Sequence, residues 1–260
     1  MASSLFYNLG RRMGPKVRKV RWMWESLTGT EADAIRLEHG VGLDLAHEAG
    51  RQLQADPDPR TGAVLDEIGR QLSQCVTNRL RSFRFDGFQG GQPNAFALPG
   101  GFIFVNRPIL DLCQWDKDRI AFILAHEMAH VIRGHAIERI VANSAVSMAA
   151  RAAPVSGALG TWLRTVGVQF LQTAYSRDHE LEADTLGVRL AAAAGYRPDA
   201  AIELLARLAE LSRSANPEGL GEYFSTHPSS EVRIANIRHF LRHSSPGRQE
   251  TEQEGKKIGG

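Results

Sequence analysis

The stretch Ile123-Leu124-Ala125-His126-Glu127-Met128-Ala129-His130-Val131 places two histidines and a glutamate among apolar residues at helical spacing. Residues four apart on a helix are turned by only about 40° and lie one above the other, so His126 and His130 can direct their imidazoles at one ion. Glu127 then lies beside that ion. Two neutral imidazoles, with a carboxylate placed to take a proton from water, are what a hydrolytic zinc site requires. The apolar flanks predict a buried helix, where two histidines and a glutamate are costly unless a metal or another partner satisfies them.

Asp116 suits the N-cap of this helix, which is expected to run through Ile120, Ile123, Leu124, Met128 and Val131 to about Val141. A zinc site needs a third protein ligand. The extended pattern H-E-x-x-H-x-x-G-x-x-H would require glycine and histidine where Arg133 and Ala136 stand. On a continuous helix His135 would point about 140° away from the ligand face, so it reads as structural. A better source lies in Ser176-Arg177-Asp178-His179-Glu180-Leu181-Glu182-Ala183-Asp184, within a second helix expected over Tyr175 to Ala194 and closed by Gly195. Glu180 and Asp184 share one face of it. Glu180 can ligate the metal, and Asp184, one turn on, can accept the free N–H of a ligand histidine. Glu182 faces elsewhere, and His179 becomes a donor only if the helix is rotated. His227, just before Pro228, stands at a stiff loop end that can reach back and stabilise an oxyanion. Arg233 can anchor that loop or pair with Asp184.

Around this centre, Thr30 to about Leu80 shows helical spacing broken at Asp56-Pro57-Asp58-Pro59. Phe83 to Val105 shifts to a period near two, in Phe83-Arg84-Phe85 and Phe102-Ile103-Phe104-Val105. That predicts a small antiparallel sheet, with a type II turn at Leu98-Pro99-Gly100-Gly101. Further helices are expected from Pro198-Asp199 through Leu211 and from Glu231 to Leu241. The domain reading is a basic arm over 1–30, one domain over 31–243 and a polar, disordered tail over 244–260.

The chain has 260 residues, 43% of them hydrophobic, enough for a substantial core, and a net charge of +2 that calls for no nucleic acid partner. Cys75 and Cys113 stand alone, without metal or disulfide spacing. The lead carries Arg11, Arg12, Lys16, Arg18, Lys19 and Arg21 without a following apolar run, so no secretory signal is expected. The apolar stretch Val141 to Tyr175 is interrupted by Arg151, Pro154 and Arg164 and is too short between charges to span a bilayer. The expected location is therefore cytoplasmic or peripheral on a membrane. Oligomeric state is not legible.

Taken in order, Asn94-Ala95-Phe96 with Pro99-Gly100-Gly101, then Leu124 to His130, Gly134-His135, Ser176-Arg177 with Glu180 and Ala183-Asp184, and Ser225-Thr226-His227-Pro228 with Arg233, resemble the gluzincin peptidases. That group includes CAAX prenyl endopeptidases, HtpX-type proteases and the Oma-type protease, and the chain looks closest to the Oma-type branch over roughly residues 60 to 240. The resemblance implies a mainly helical α+β, zincin-like metallopeptidase holding one Zn2+ per chain on His126, His130 and Glu180. It further implies Glu127 as general base and His227 near the oxyanion. Phe102, Ile103, Phe104 and Val105 would form the edge strand to which an extended polypeptide substrate adds. Related enzymes commonly act on membrane or misfolded proteins, which suggests quality control at or near a membrane. The alternative is a latent, metal-stabilised binding or chaperone-like module.

Overall fold

The structure is a computed structural model that describes residues 30–142, 175–213, 227 and 230–244. The basic lead, residues 143–174 of the apolar stretch, the rest of the loop around His227 and the tail beyond 244 lie outside the described residues. Helix α1 (Glu31–Gln52) starts where the Thr30 side chain accepts from the Asp33 N–H. Helix α2 (Pro59–Gln74) starts at the cap Asp58, with Pro59 in the first turn, where its missing N–H costs nothing. Between them, Arg107 donates to Asp56 and Asp58 at 2.6 and 2.9 Å and ties the break to the sheet.

Strands β1 (Arg84–Phe88), β2 (Ala95–Leu98) and β3 (Phe102–Asn106) form one sheet in the order β1-β3-β2. Alternation explains why β2 and β3 read as nearly continuous apolar runs, since both of their faces are covered. Phe88, Phe96, Leu98, Phe102 and Phe104 pack with Leu45 and Ala49 of α1. Ala95, Ala97, Ile103 and Val105 join the larger core with Leu65 and Ile68 of α2.

Two expectations change here. The sheet is mixed: β2 and β3 form the expected antiparallel hairpin, but β1 runs parallel to β3. A period of two shows that strands exist, not which neighbours they choose. The crossing from β1 to β2 uses Gly90 and Gly91 at positive φ, and the Asn106 side chain donates to the Gly90 and Gln92 carbonyls at 3.0 and 2.6 Å. As a result Phe102 to Val105 is the central strand, bonded on both sides, and the sheet edges are β1 and β2. The β2–β3 turn is as expected, with Gly100 at φ 74 and ψ 4, the third position of a type II turn.

After α3 (Arg107–Leu112) comes α4 (Lys117–Ile132), whose cap Asp116 accepts from the Asp118 and Arg119 N–H groups. It is buried from Ile120 to Val131. The expected run to Val141 is interrupted: Gly134 has φ 75, and α5 (His135–Ala142) begins in a new direction. A glycine in the left-handed region is a common helix stop. Helix α6 (Arg177–Ala193), capped by Ser176, lies against α4. The two approach so closely that a Cβ on Gly187 would stand 3.0 Å from the His126 backbone nitrogen. Helices α7 (Ala200–Arg213) and α8 (Ser230–Ser244) pack together and complete the mainly helical α+β fold.

Candidate metal centre

Helix α4 contributes His126, Glu127 and His130, and the close crossing at Gly187 lets α6 present Glu180 and Asp184 to them. His227 enters from the loop before α8. His126, His130, Glu180 and His227 are all buried and each offers one donor atom within 4.8 Å of the others. The two Nε2 atoms of His126 and His130 lie 3.1 Å apart. Glu180 faces them, with Oε2 at 3.6 Å from His126 and Oε1 at 3.3 Å from His130. Three imidazoles and a carboxylate converging in a buried site are a donor set suited to zinc.

The opposite sides of these rings are also engaged. His126 Nδ1 lies 3.0 Å from Asp184 Oδ1. Arg233 grips Asp184 with Nε and Nη2 at 2.8 and 2.7 Å, and its Nη1 stands 3.1 Å from Glu180. His130 Nδ1 lies 3.0 Å from His135 Nδ1, and the Tyr175 ring stacks on His130 with centroids 3.9 Å apart. His227 places Nδ1 at 3.0 Å from Glu180 and Nε2 at 3.4 Å from Glu127 Oε1.

The electrostatics follow from burial and these neighbours. Burial and the Arg233 charge push the His126 imidazole down, but Asp184 and Glu180 outweigh them and hold its pKa at about 9. Burial drives His130 well below the usual imidazole value. With their Nε2 atoms 3.1 Å apart, only one of those two atoms can carry a proton. Burial alone would raise Glu180 and Asp184; the charges of His227 and Arg233 on Glu180, and of Arg233 on Asp184, hold both carboxyls below the ordinary range. Anionic carboxylates and one proton-free imidazole nitrogen are ready for a cation, which must displace the remaining proton.

A helix pair that brings His-Glu-x-x-His against a Glu-x-x-x-Asp face is the observation that decides the family, and the model of Peptidase family M48 matches residues 59–241. The chain belongs to Peptidase family M48. It is 39% identical over 153 residues to the mitochondrial metalloendopeptidase OMA1 of Schizosaccharomyces pombe, covering 57% of this chain and 44% of that one. To the same-named protein of Saccharomyces cerevisiae it is 36% identical over 161 residues, again 57% and 44%. To the beta-barrel assembly-enhancing protease of Yersinia pestis it is 26% identical over 216 residues, covering 75% and 43%. The chain thus spans less than half the length of the curated relatives it matches.

Within this M48 site, His126, Glu127, His130, Glu180, Asp184, His227 and Arg233 are brought together, whereas Phe102 to Val105 are not on an edge. Sequence reasoning missed His135, which was expected to point away. The helix stop at Gly134 swings it back onto His130, and a glycine four residues after the second histidine was the available signal. Tyr175 was also missed; it left no signal beyond its place before the Ser176 cap.

Proposed function

We propose that this M48 chain is a zinc-dependent endopeptidase with His126, His130 and Glu180 as ligands and Glu127 as general base. The convergence of those three donors beside the buried Glu127 carboxylate of α4 carries the reading. Zinc, when bound, supplies Lewis acidity toward the scissile carbonyl and the attacking water. Glu127 accepts the proton of that water and returns it to the leaving amine. Asp184, held by Arg233, orients His126. His227 can donate from Nε2 to the carbonyl oxygen as charge develops there. The substrate is a polypeptide, and its extended backbone adds to β2 rather than to Phe102–Val105, because among the described residues β2 pairs on one side only and it packs on α4. The names of the relatives, a mitochondrial metalloendopeptidase and a beta-barrel assembly-enhancing protease, support a protease acting on other proteins, and quality control at or near a membrane is the role we propose. Among the described residues no helix is long and apolar enough to cross a membrane. Peripheral attachment through the basic residues Arg11, Arg12, Lys16, Arg18, Lys19 and Arg21 is the form we propose.

The position of His227 favours a second reading. It lies inside the donor set, and a zinc held by four protein groups has no open position. In that state the chain is a latent, metal-stabilised module until His227 leaves the donor set. Casein or quenched-peptide cleavage by wild type, Glu127→Gln and His227→Ala, with metal content measured in parallel, tests both. The peptidase reading expects about one zinc in wild type and Glu127→Gln, with cleavage slowed about 100- to 10,000-fold in the variant. His227→Ala should cut more slowly if the histidine serves the oxyanion and faster if it closes the site. Equal cleavage by wild type and Glu127→Gln would overturn the assignment.

A further inference from the structure

His126 and His130 are held from behind by different groups. His126 meets a buried carboxylate, Asp184, at 3.0 Å. The partner of His130 Nδ1 is a third imidazole, His135, also at 3.0 Å. The far nitrogen of His135, Nε2, faces Glu182 Oε2 at 3.5 Å, and Glu182 is held by Arg133 at 3.0 Å. His179 stacks on the His135 ring with centroids 4.1 Å apart and faces Glu138 at 3.4 Å. His135 is 2% exposed, whereas the Glu182 and Arg133 side chains are 46% and 44% exposed. A line of polar contacts therefore runs from the metal centre to the surface.

We propose that His135 is a positioning residue for the metal centre, acting with Glu182 to fix the tautomer and ring orientation of His130. The proposal rests on the metal-site reading given above. A metal ligand needs a lone pair on His130 Nε2, which puts the proton on Nδ1. That N–H donates to His135 Nδ1, which must be bare, so the His135 proton sits on Nε2 and points at Glu182. Ligand histidines usually donate directly to a carboxylate, carbonyl or water; here one imidazole is interposed between the ligand and a surface carboxylate. The stacked His179 ring limits rotation of His135 and keeps that line in register.

Zinc affinity, measured on the full chain by competition with a chromophoric chelator, tests this. His135→Leu removes the acceptor and should weaken zinc about 10- to 100-fold. His135→Asn offers an amide oxygen near the Nδ1 position and should recover most of the loss. Glu182→Ala, at a half-exposed site, should weaken zinc to a lesser degree while leaving the melting temperature of the chelator-treated protein unchanged. Imidazole 15N spectra of the zinc-loaded wild type should show His135 protonated at Nε2 and bare at Nδ1, a result that does not depend on any variant folding. Equal zinc affinity for wild type and His135→Leu, an Asn variant no better than Leu, or a His135 protonated at Nδ1 would each overturn the proposal while leaving the metal site standing. A wild type that takes up no zinc would overturn the metal reading and this one with it.

Discussion

Asp184 is fully buried, faces His126 and accepts two hydrogen bonds from Arg233. Its carboxyl is held below the ordinary range by the Arg233 charge in spite of burial, so it is anionic in the folded protein. A carboxyl with a depressed folded pKa contributes stability that is present above its unfolded value, about 3.9, and is lost as pH falls through the lower folded value. Glu180 behaves in the same sense. Asp184→Asn leaves the Arg233 guanidinium without its closest anion, and breaking a buried pair in this way costs about 3–5 kcal/mol. Melting curves of chelator-treated protein from neutral pH into acid should show wild type losing stability below about pH 4, with a shallower loss in Asp184→Asn. Parallel curves for the two proteins would rule out Asp184 as the source of that acid sensitivity.

Helix α1 lies ahead of the family match at 59–241, yet it grips the β2–β3 turn. Glu38 accepts from the Gly100 N–H at 3.2 Å and from Arg81 at 3.2 Å, and the His39 ring stacks on Phe102 with centroids 5.1 Å apart. The approach is close enough that a Cβ on Gly42 would come within 1.8 Å of the Pro99 carbonyl oxygen, whereas one on Gly40 would meet nothing within 4 Å. Gly42→Ala should therefore force α1 off the turn and destabilise by at least about 1–3 kcal/mol. It should also slow peptide cleavage, since β2 leads into that turn. Gly40→Ala, on the same helix, should stabilise by about 0.5–1 kcal/mol through helix propensity alone. Denaturant unfolding of the pair measures both, and two alanine variants of equal stability would refute the close docking.

Across the whole molecule, the site ties together segments far apart in sequence: α4, α6 and the loop before α8 meet at one set of donors. A cation bound there links those segments in the folded state alone, so it should add stability by mass action. At 100 times its dissociation constant, zinc would contribute about 2.7 kcal/mol. Chelation should lower the melting temperature and zinc should restore it. A melting temperature indifferent to both would argue against a metal joining α4 and α6.

The pairs His126 with His130 and Glu180 with Asp184 were legible in the chain by itself, as were the helices that carry them, though not where the first one ends, the cap Asp116 and the turn at Pro99-Gly100. Each depends on spacings of four residues or fewer, where helical geometry leaves little choice. The order of the strands was not legible, because alternation records burial and not pairing; the apolar Phe102–Val105 proved central, leaving β2 as the edge beside α4. His135 turned from a distant residue into a partner of His130 because one glycine ended the helix between them. His227 came to lie inside the donor set, and α1 onto the turn, through contacts spanning tens of residues or more. Such contacts are decided by how helices and sheet bury their apolar faces together, and local spacing carries no record of that.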